Sequence, residues 1–97
     1  MDLRFSRPLA MMYATLGKGV DAVRLLDQTL RDGGGDQPSL FKCVEWIFNA
    51  HRAGFVVHDR AEDRRIAHAY ADQYFKAGGL NEPLVKQWLG FLDKETP

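Results

Sequence analysis

The amino-acid sequence predicts an all-α fold: a compact single-domain bundle of about five short helices with glycine-punctuated turns. Apolar residues recur three and four positions apart, which is the spacing of one helical face. Glycines interrupt that pattern between segments of helical length. The one extended stretch, residues 55–57, is too short to indicate a sheet. Because 97 residues suit one domain, we expect residues 1–97 to form a single helical domain.

The first predicted helix covers residues 8–16. Ser6 is expected to cap its N-terminus, because a serine side chain accepts a hydrogen bond from an unpaired helical N–H. Pro8 is tolerated in a first turn, where its missing N–H costs nothing. Residues 1–5 are then a flexible end. The face expected to turn inward carries Leu9, Met12, Tyr13 and Leu16.

The second predicted helix covers residues 20–32 and ends at Gly33, since glycine favours the left-handed backbone that closes many helices. Its expected inner face carries Val20, Val23, Leu26 and Leu30. Gly17-Lys18-Gly19 separates it from the first helix. The sequence leaves open whether residues 8–32 form one bent helix or two.

Residues 33–38 are predicted as an internal loop, because three consecutive glycines followed by a proline favour a flexible connection. The third helix covers residues 39–53 and ends at Gly54. Its expected inner face carries Leu40, Phe41, Val44, Ile47, Phe48 and His51. Cys43 lies on the flank of this face, where a buried cysteine behaves as a small hydrophobe rather than as a nucleophile.

Asp59-Arg60-Ala61-Glu62 is typical of a capping box and predicts the start of the fourth helix, which runs to about residue 77. Its expected inner row is Ile66, Tyr70 and Tyr74. Gly78-Gly79 ends this helix, and Leu80 is expected to make the apolar contact of a Schellman motif.

Asn81 is predicted to cap the fifth helix, with Pro83 in its first turn. The apolar face of this helix is broad and carries Leu84, Val85, Trp88, Leu89 and Leu92. Residues 93–97 are expected to form a polar, flexible end.

The charges balance: 13 Lys and Arg oppose 13 Asp and Glu, so the formal net charge is zero. The balance also holds within each half of the chain, with six charges of each sign in residues 1–48 and seven in residues 49–97. Binding to nucleic acid or to an anionic membrane depends on an excess of Lys and Arg. Neither is therefore an expected partner.

Cysteine content and hydropathy indicate the compartment. Cys43 is the single cysteine, which excludes an intramolecular disulfide. No apolar run approaches the roughly 20 residues that span a bilayer, and the N-terminus lacks the pattern of a signal peptide. We expect a cytoplasmic protein. The excess of Arg over Lys and the many alanines suggest a bacterial or phage origin.

Two histidine-containing pairs could indicate enzymatic chemistry. His58-Asp59 could supply two metal ligands, but a metal site needs more, and the helix cap explains Asp59. His68 and Asp72 share a helix face and could act as an acid/base pair. No nucleophile or oxyanion-binding group accompanies them, so a solvated salt-bridge row is the preferred interpretation. The sequence therefore predicts no catalytic residue, metal or cofactor.

Two glycine-centred turns have the spacing of a helix-turn-helix motif, which leaves a DNA-binding regulator as the alternative function. The first turn would place Met12, Leu16, Val23 and Leu26 at inner positions. The second would place Tyr74, Leu80, Val85 and Trp88 there. Both put a large aromatic residue where the first helix needs a small one, and neither presents a cluster of basic residues.

Aromatic and arginine residues favour a protein-binding role, because protein interfaces concentrate these residue types. Several aromatic rings fall outside the predicted inner rows and are expected to stay partly exposed. The candidate protein-binding residues are Trp46, Arg52, Arg60, Arg64, Arg65 and Phe75. A solvated row of ion pairs and a wide core explain the same residues, and these alternatives stay open.

The preferred hypothesis is a small non-enzymatic helical accessory protein of bacterial or phage type. It would act by protein–protein binding as a regulator, inhibitor or adaptor. Its expected partner is another protein or a second copy of this chain, as in a homodimer.

Overall fold

Five helices follow one another in the computed structural model, which describes residues 3–30 and 35–95. They are α1 (Leu3–Thr15), α2 (Gly19–Leu30), α3 (Gln37–Arg52), α4 (Arg60–Lys76) and α5 (Glu82–Glu95). Neither described range contains a strand, which confirms the all-α prediction. Both α1 and α5 extend into the chain ends, residues 1–5 and 93–97, that are predicted from the sequence to be flexible. Asp32 and Gly33, the predicted end of the second helix, lie outside the described residues.

The start of α1 differs from the prediction. The helix begins at Leu3, so Pro8 lies inside it and Ser6 is not its cap. Ser6 is fully buried, and its hydroxyl has no hydrogen-bond partner among the described residues. Ser6 and Ala10 are both small and four residues apart, which lets this side of α1 approach its neighbour closely. Burial of a small side chain, rather than capping, explains the serine.

The sequence left open whether the first two segments form one bent helix or two. They form two, because α1 ends at Thr15 and α2 begins at Gly19. Lys18 N–H donates to the Tyr13 carbonyl at 2.8 Å, and Gly17 N–H donates to the Ala14 carbonyl at 3.1 Å. This pair of bonds is the Schellman motif. Gly17 has a φ of +78°, a conformation that glycine adopts without steric cost.

Asp36 caps α3, which begins at Gln37, two residues before the predicted start. Its carboxylate accepts a 2.9 Å bond from Ser39 N–H and pairs with Arg7 of α1 at 2.7 Å. Burial opposes ionisation of Asp36, but the bonds from Ser39 and the charge of Arg7 outweigh it and lower its pKa. At the other end of α3, Gly54 has a φ of +90° and closes the helix as predicted. Phe55 N–H donates to the Ala50 carbonyl there.

The start of α4 confirms Asp59 as the N-cap, since its carboxylate accepts a 2.7 Å bond from Glu62 N–H. Gly78 and Gly79 end the helix, and Gly79 N–H donates to the Tyr74 carbonyl at 3.0 Å. The contact expected of Leu80 is absent, because that side chain is 90% exposed. Tyr74 closes the turn instead. Its hydroxyl accepts a 3.1 Å bond from Asn81 N–H, and its ring packs against Gly79.

The core is built around α3, which packs against α2, α4 and α5, whereas α1 packs mainly on α2. Aromatic rings join α3 to α5: Trp88 lies 5.1 Å from Phe41 and 5.9 Å from Phe48, centroid to centroid. None of the five described helices combines the length and apolarity that a bilayer crossing requires. The peripheral position of α1 leaves one of its sides without a neighbour in the bundle.

Candidate protein-binding surface

Four large apolar residues of α1 lie on the side turned away from α2. We call them the α1 stripe: Phe5, Leu9, Met12 and Leu16, the last directly after the helix. Phe5 is 67% exposed, Met12 57% and Leu16 65%, whereas Leu9 is half-buried. The stripe is therefore an apolar helical face in contact with solvent.

Packing of the small side of α1 explains the direction of the stripe. Ser6 and Ala10 are fully buried, and Tyr13 and Ala14 pack partly against the core. The four larger residues must then face outward, because the two sides of a helix cannot both be buried by one neighbour. The prediction of an inward face is therefore wrong for Met12 and Leu16.

A groove of about 510 Å³ adjoins the C-terminal end of the stripe. It lies between the α1–α2 turn and the C-terminal part of α3. Trp46 and Ala50 of α3 contribute its buried lining, and Val20 lines the side formed by α2. Phe55, which is also strongly exposed, stands among the lining residues at the end of α3. The groove thus reaches Gly17, directly after the last residue of the stripe.

The connector between α3 and α4 carries Phe55. Hydrogen bonds to α2 and α4 fix the part of it that follows Phe55, at Val57 and His58. Val57 is buried, and its carbonyl accepts bonds of 2.7 and 3.2 Å from the Arg24 guanidinium of α2. Asp63 accepts bonds from Val57 N–H at 2.7 Å and from His58 N–H at 3.0 Å. The backbone is thus hydrogen-bonded on both sides of the exposed Phe55 ring: at the Gly54 turn that ends α3, and at Val57 and His58.

A buried histidine links three helices behind the connector. His51 Nε2 lies 2.7 Å from Asp63 Oδ2 of α4, and its Nδ1 lies 2.5 Å from Glu95 Oε2 of α5. The His51 side chain is 1% exposed. Both ring nitrogens are thus occupied by carboxylates of the protein itself. This arrangement serves the fold, because a substrate has no access to either nitrogen.

The predicted binding residues do not form one surface. Trp46 is only 7% exposed, which agrees with the wide-core alternative for this ring, and it lines the groove. Phe75 is half-buried beside Tyr74, with ring centroids 5.8 Å apart. It lies about 22 Å along α4 from Arg60, given a rise of 1.5 Å per residue, so these two cannot share a compact site.

The four predicted arginines differ in their surroundings. The Arg52 guanidinium lies 5.6 Å from the centroid of the Phe48 ring, within cation–π distance. Arg65 donates to the Glu62 carboxylate of the preceding turn. Arg64 is half-buried and Arg60 exposed. Their part in binding a partner stays a prediction.

The residues considered for catalysis are dispersed. His68 pairs with Asp93 at 2.7 Å, and Asp72 pairs with Lys76 at 3.0 Å. The predicted candidates His68 and Asp72 therefore bind other partners and not each other. Among the residues that the structure describes, no three His, Cys, Asp or Glu side chains are grouped to hold a metal ion. Burial, with the charge of Asp27 adding to it, raises the pKa of the Cys43 thiol. The thiol stays protonated and packs as a small hydrophobe.

The inner positions required by the helix-turn-helix interpretation are only partly buried. Met12 and Leu16 are exposed at the first turn, and Leu80 is exposed at the second. Val23, Leu26 and the other inner residues are buried, but as parts of the bundle core. The packing expected of such a motif is therefore wrong at three positions.

Comparison with known proteins adds no relative: no family model, curated protein or solved structure matches the chain. The functional interpretation rests on the surface itself.

Proposed function

We propose that the protein is non-enzymatic and acts by binding another protein, as a regulator, inhibitor or adaptor. The α1 stripe and the adjoining groove are the binding surface. The observation that carries the proposal is the exposure of three large apolar residues in one row. With the half-buried Leu9 they offer on the order of 400–500 Å² of apolar surface, which is the size of patch that often has a function.

The shape of the surface favours an amphipathic helix as the bound element. Residues of the stripe are spaced four, three and four apart, so they match a helix that presents apolar residues at the same intervals. The groove beside Leu16 can receive one large side chain from that helix. Lys18 and Asp21 line the same groove and provide polar contacts at its edge.

The environment of the histidines supports a role without catalysis. His51 is enclosed by two carboxylates, and His68 forms an exposed ion pair on the opposite side of α4 from the buried row. His58 Nε2 lies 3.9 Å from Asp27, a carboxylate that already accepts a bond from Tyr70. Each imidazole thus has a partner within the protein.

Capture from a bacterial lysate with matched variants tests the proposal. The wild-type chain, Leu16→Glu and Leu80→Glu are immobilised through the C-terminus, and retained proteins are quantified by mass spectrometry. Leu16→Glu places a charge in the stripe, whereas Leu80→Glu places the same charge at an exposed leucine in the α4–α5 turn. We expect a specific protein, or the chain itself, to be retained by the wild type and by Leu80→Glu and reduced at least tenfold with Leu16→Glu. Retention independent of Leu16 would contradict the proposal.

A further inference from the structure

We infer that the helix bound by the α1 stripe is α1 of a second copy of this chain, packed antiparallel across a two-fold axis. The inference rests on the proposed binding function, because it uses the same surface, and it adds the identity of the partner. Three properties of α1 support it: the spacing of the stripe, the position of its charges and the size of the exposed area.

The spacing of the stripe residues is the same whether the chain is followed from its N-terminal or its C-terminal end. Its intervals of four, three and four residues are symmetric about a point between residues 10 and 11. If a two-fold axis passes through that point, Phe5 lies beside Leu16 of the second copy and Leu9 lies beside Met12. One register therefore gives every residue of the stripe an apolar neighbour, without a change in the structure of either copy.

The charges of α1 favour the antiparallel orientation. Its described residues include the basic side chains Arg4 and Arg7, both in the N-terminal half, and no acidic side chain. A basic residue is favourable near the C-terminal end of a helix, where the unpaired carbonyls carry partial negative charge. Antiparallel packing brings Arg4 of one copy to that end of the other, close to the exposed Asp21 that follows the turn. The stripe itself is uncharged, and a net charge of zero gives the two copies no overall repulsion.

The exposed area predicts a weak, reversible dimer. With about 400–500 Å² of apolar surface contributed by each copy, the interface buries on the order of 1,000 Å² in total. This value is at the lower limit for a specific interface, below the roughly 1,600 Å² of a standard complex. We therefore expect dissociation in the micromolar range, with the monomer folded on its own.

Sedimentation equilibrium of the full chain from about 1 to 500 μM measures the association that the interface area predicts. We expect the average mass of the wild type to rise toward twice that of one chain. Leu16→Glu should weaken dimerisation at least tenfold, while the control Leu80→Glu leaves it unchanged. Circular dichroism of each variant verifies that the helices are retained, since both leucines are exposed.

A mixing experiment tests the antiparallel register. Phe5→Lys and Leu16→Glu should each be monomeric alone, because each variant places two charges against apolar residues. In a mixture, Lys at position 5 of one copy meets Glu at position 16 of the other, and the second pair remains Phe with Leu. We expect a one-to-one heterodimer. Absence of a mixed species, or a wild-type dimer insensitive to Leu16→Glu, would overturn the inference.

The outcomes for the second copy and for the binding function are distinguishable. A wild type that stays monomeric throughout, yet retains a lysate protein through Leu16, overturns only the identity of the partner. A monomer that retains no protein through Leu16 overturns both.

Discussion

Replacement of Asp63 by alanine tests most directly the buried polar cluster, which consists of His51, Asp63 and Glu95. The Asp63 carboxylate is fully buried and accepts three hydrogen bonds: from His51 Nε2, from Val57 N–H and from His58 N–H. In Asp63→Ala all three donors lose their acceptor at once. A buried donor without a partner costs about 1–3 kcal/mol. The peptide N–H of His58 is only partly buried, so water can replace its bond at a lower cost.

The sum predicts a loss of about 3–5 kcal/mol in the free energy of unfolding for Asp63→Ala. That is a large share of the roughly 5–15 kcal/mol that stabilises a protein domain. Urea denaturation followed by circular dichroism measures it. Asp93→Ala is the matched control, because Asp93 also pairs with a histidine but is exposed, and it should cost no more than about 1 kcal/mol.

A loss below about 1 kcal/mol in Asp63→Ala would refute the reasoning, because the two buried donors, His51 Nε2 and Val57 N–H, could not then be left unpaired at the expected cost. Equal losses in Asp63→Ala and Asp93→Ala would also refute it. In that case the pairing of histidine with carboxylate, and not the burial of the acceptor, would determine the effect.

Three further substitutions have defined outcomes. Asp36→Ala should lower stability by about 1 kcal/mol at neutral pH by removing the bond to Ser39 N–H. The pKa of Asp36 is lowered in the folded state. Its contribution to the free energy of unfolding is therefore fully present above the ordinary pKa of about 3.9 and is lost as the pH falls through the lower folded-state pKa. The unfolding curves of wild type and variant should then converge in acid. Gly79→Ala should cost about 1–3 kcal/mol in thermal unfolding, because a Cβ there would overlap the Tyr74 ring; no loss would contradict that contact. Leu16→Glu should change the stability of the monomer by less than about 0.5 kcal/mol, measured in dilute solution, and a larger loss would mean that Leu16 supports the core.

Local signals in the sequence predicted the helices and their ends well. Asp59 caps α4, and glycines at positions 17, 54 and 78 adopt positive φ at the three turns. These features depend on residues within four or five positions of one another, so the sequence contains the full cause. Ser6 and Leu80 are exceptions: Ser6 is buried where α1 packs on α2 and does not cap the helix, and Leu80 is exposed and does not pack on α4.

Periodicity grouped Leu9, Met12 and Leu16 correctly, but it placed Tyr13, which packs against the core, on the same face and did not predict which face is buried. Leu9, Met12 and Leu16 do lie together, yet the side with Ser6 and Ala10 packs against α2. Hydrophobicity alone favours burial of the larger residues, but close approach of two helices favours small ones. The choice between them depends on the surface of the neighbouring helix, which periodicity does not describe.

The buried cluster was missed because its members are far apart in the chain. His51 is 12 residues from Asp63 and 44 from Glu95, and no spacing rule connects them. One signal was available: a histidine on the inward face of α3 must find polar partners, because a buried polar group without them is costly. That signal predicts that partners exist, but only packing of α4 and α5 determines which carboxylates they are.

The rigidity of the helix that carries it, more than the amount of exposed apolar surface, distinguishes the proposed binding surface. Leu80 is more exposed than any residue of the stripe, yet it stands alone in a turn, and single exposed leucines are common. The stripe is aligned on a helix that is fixed by the Gly17 turn at one end and by the Arg7–Asp36 ion pair near the other. The chain that follows Phe55 is fixed by the bonds that Val57 N–H and His58 N–H donate to Asp63. Because the helix that carries these residues is already folded, no backbone entropy has to be lost to form it when a partner binds, and a patch of modest area can bind measurably.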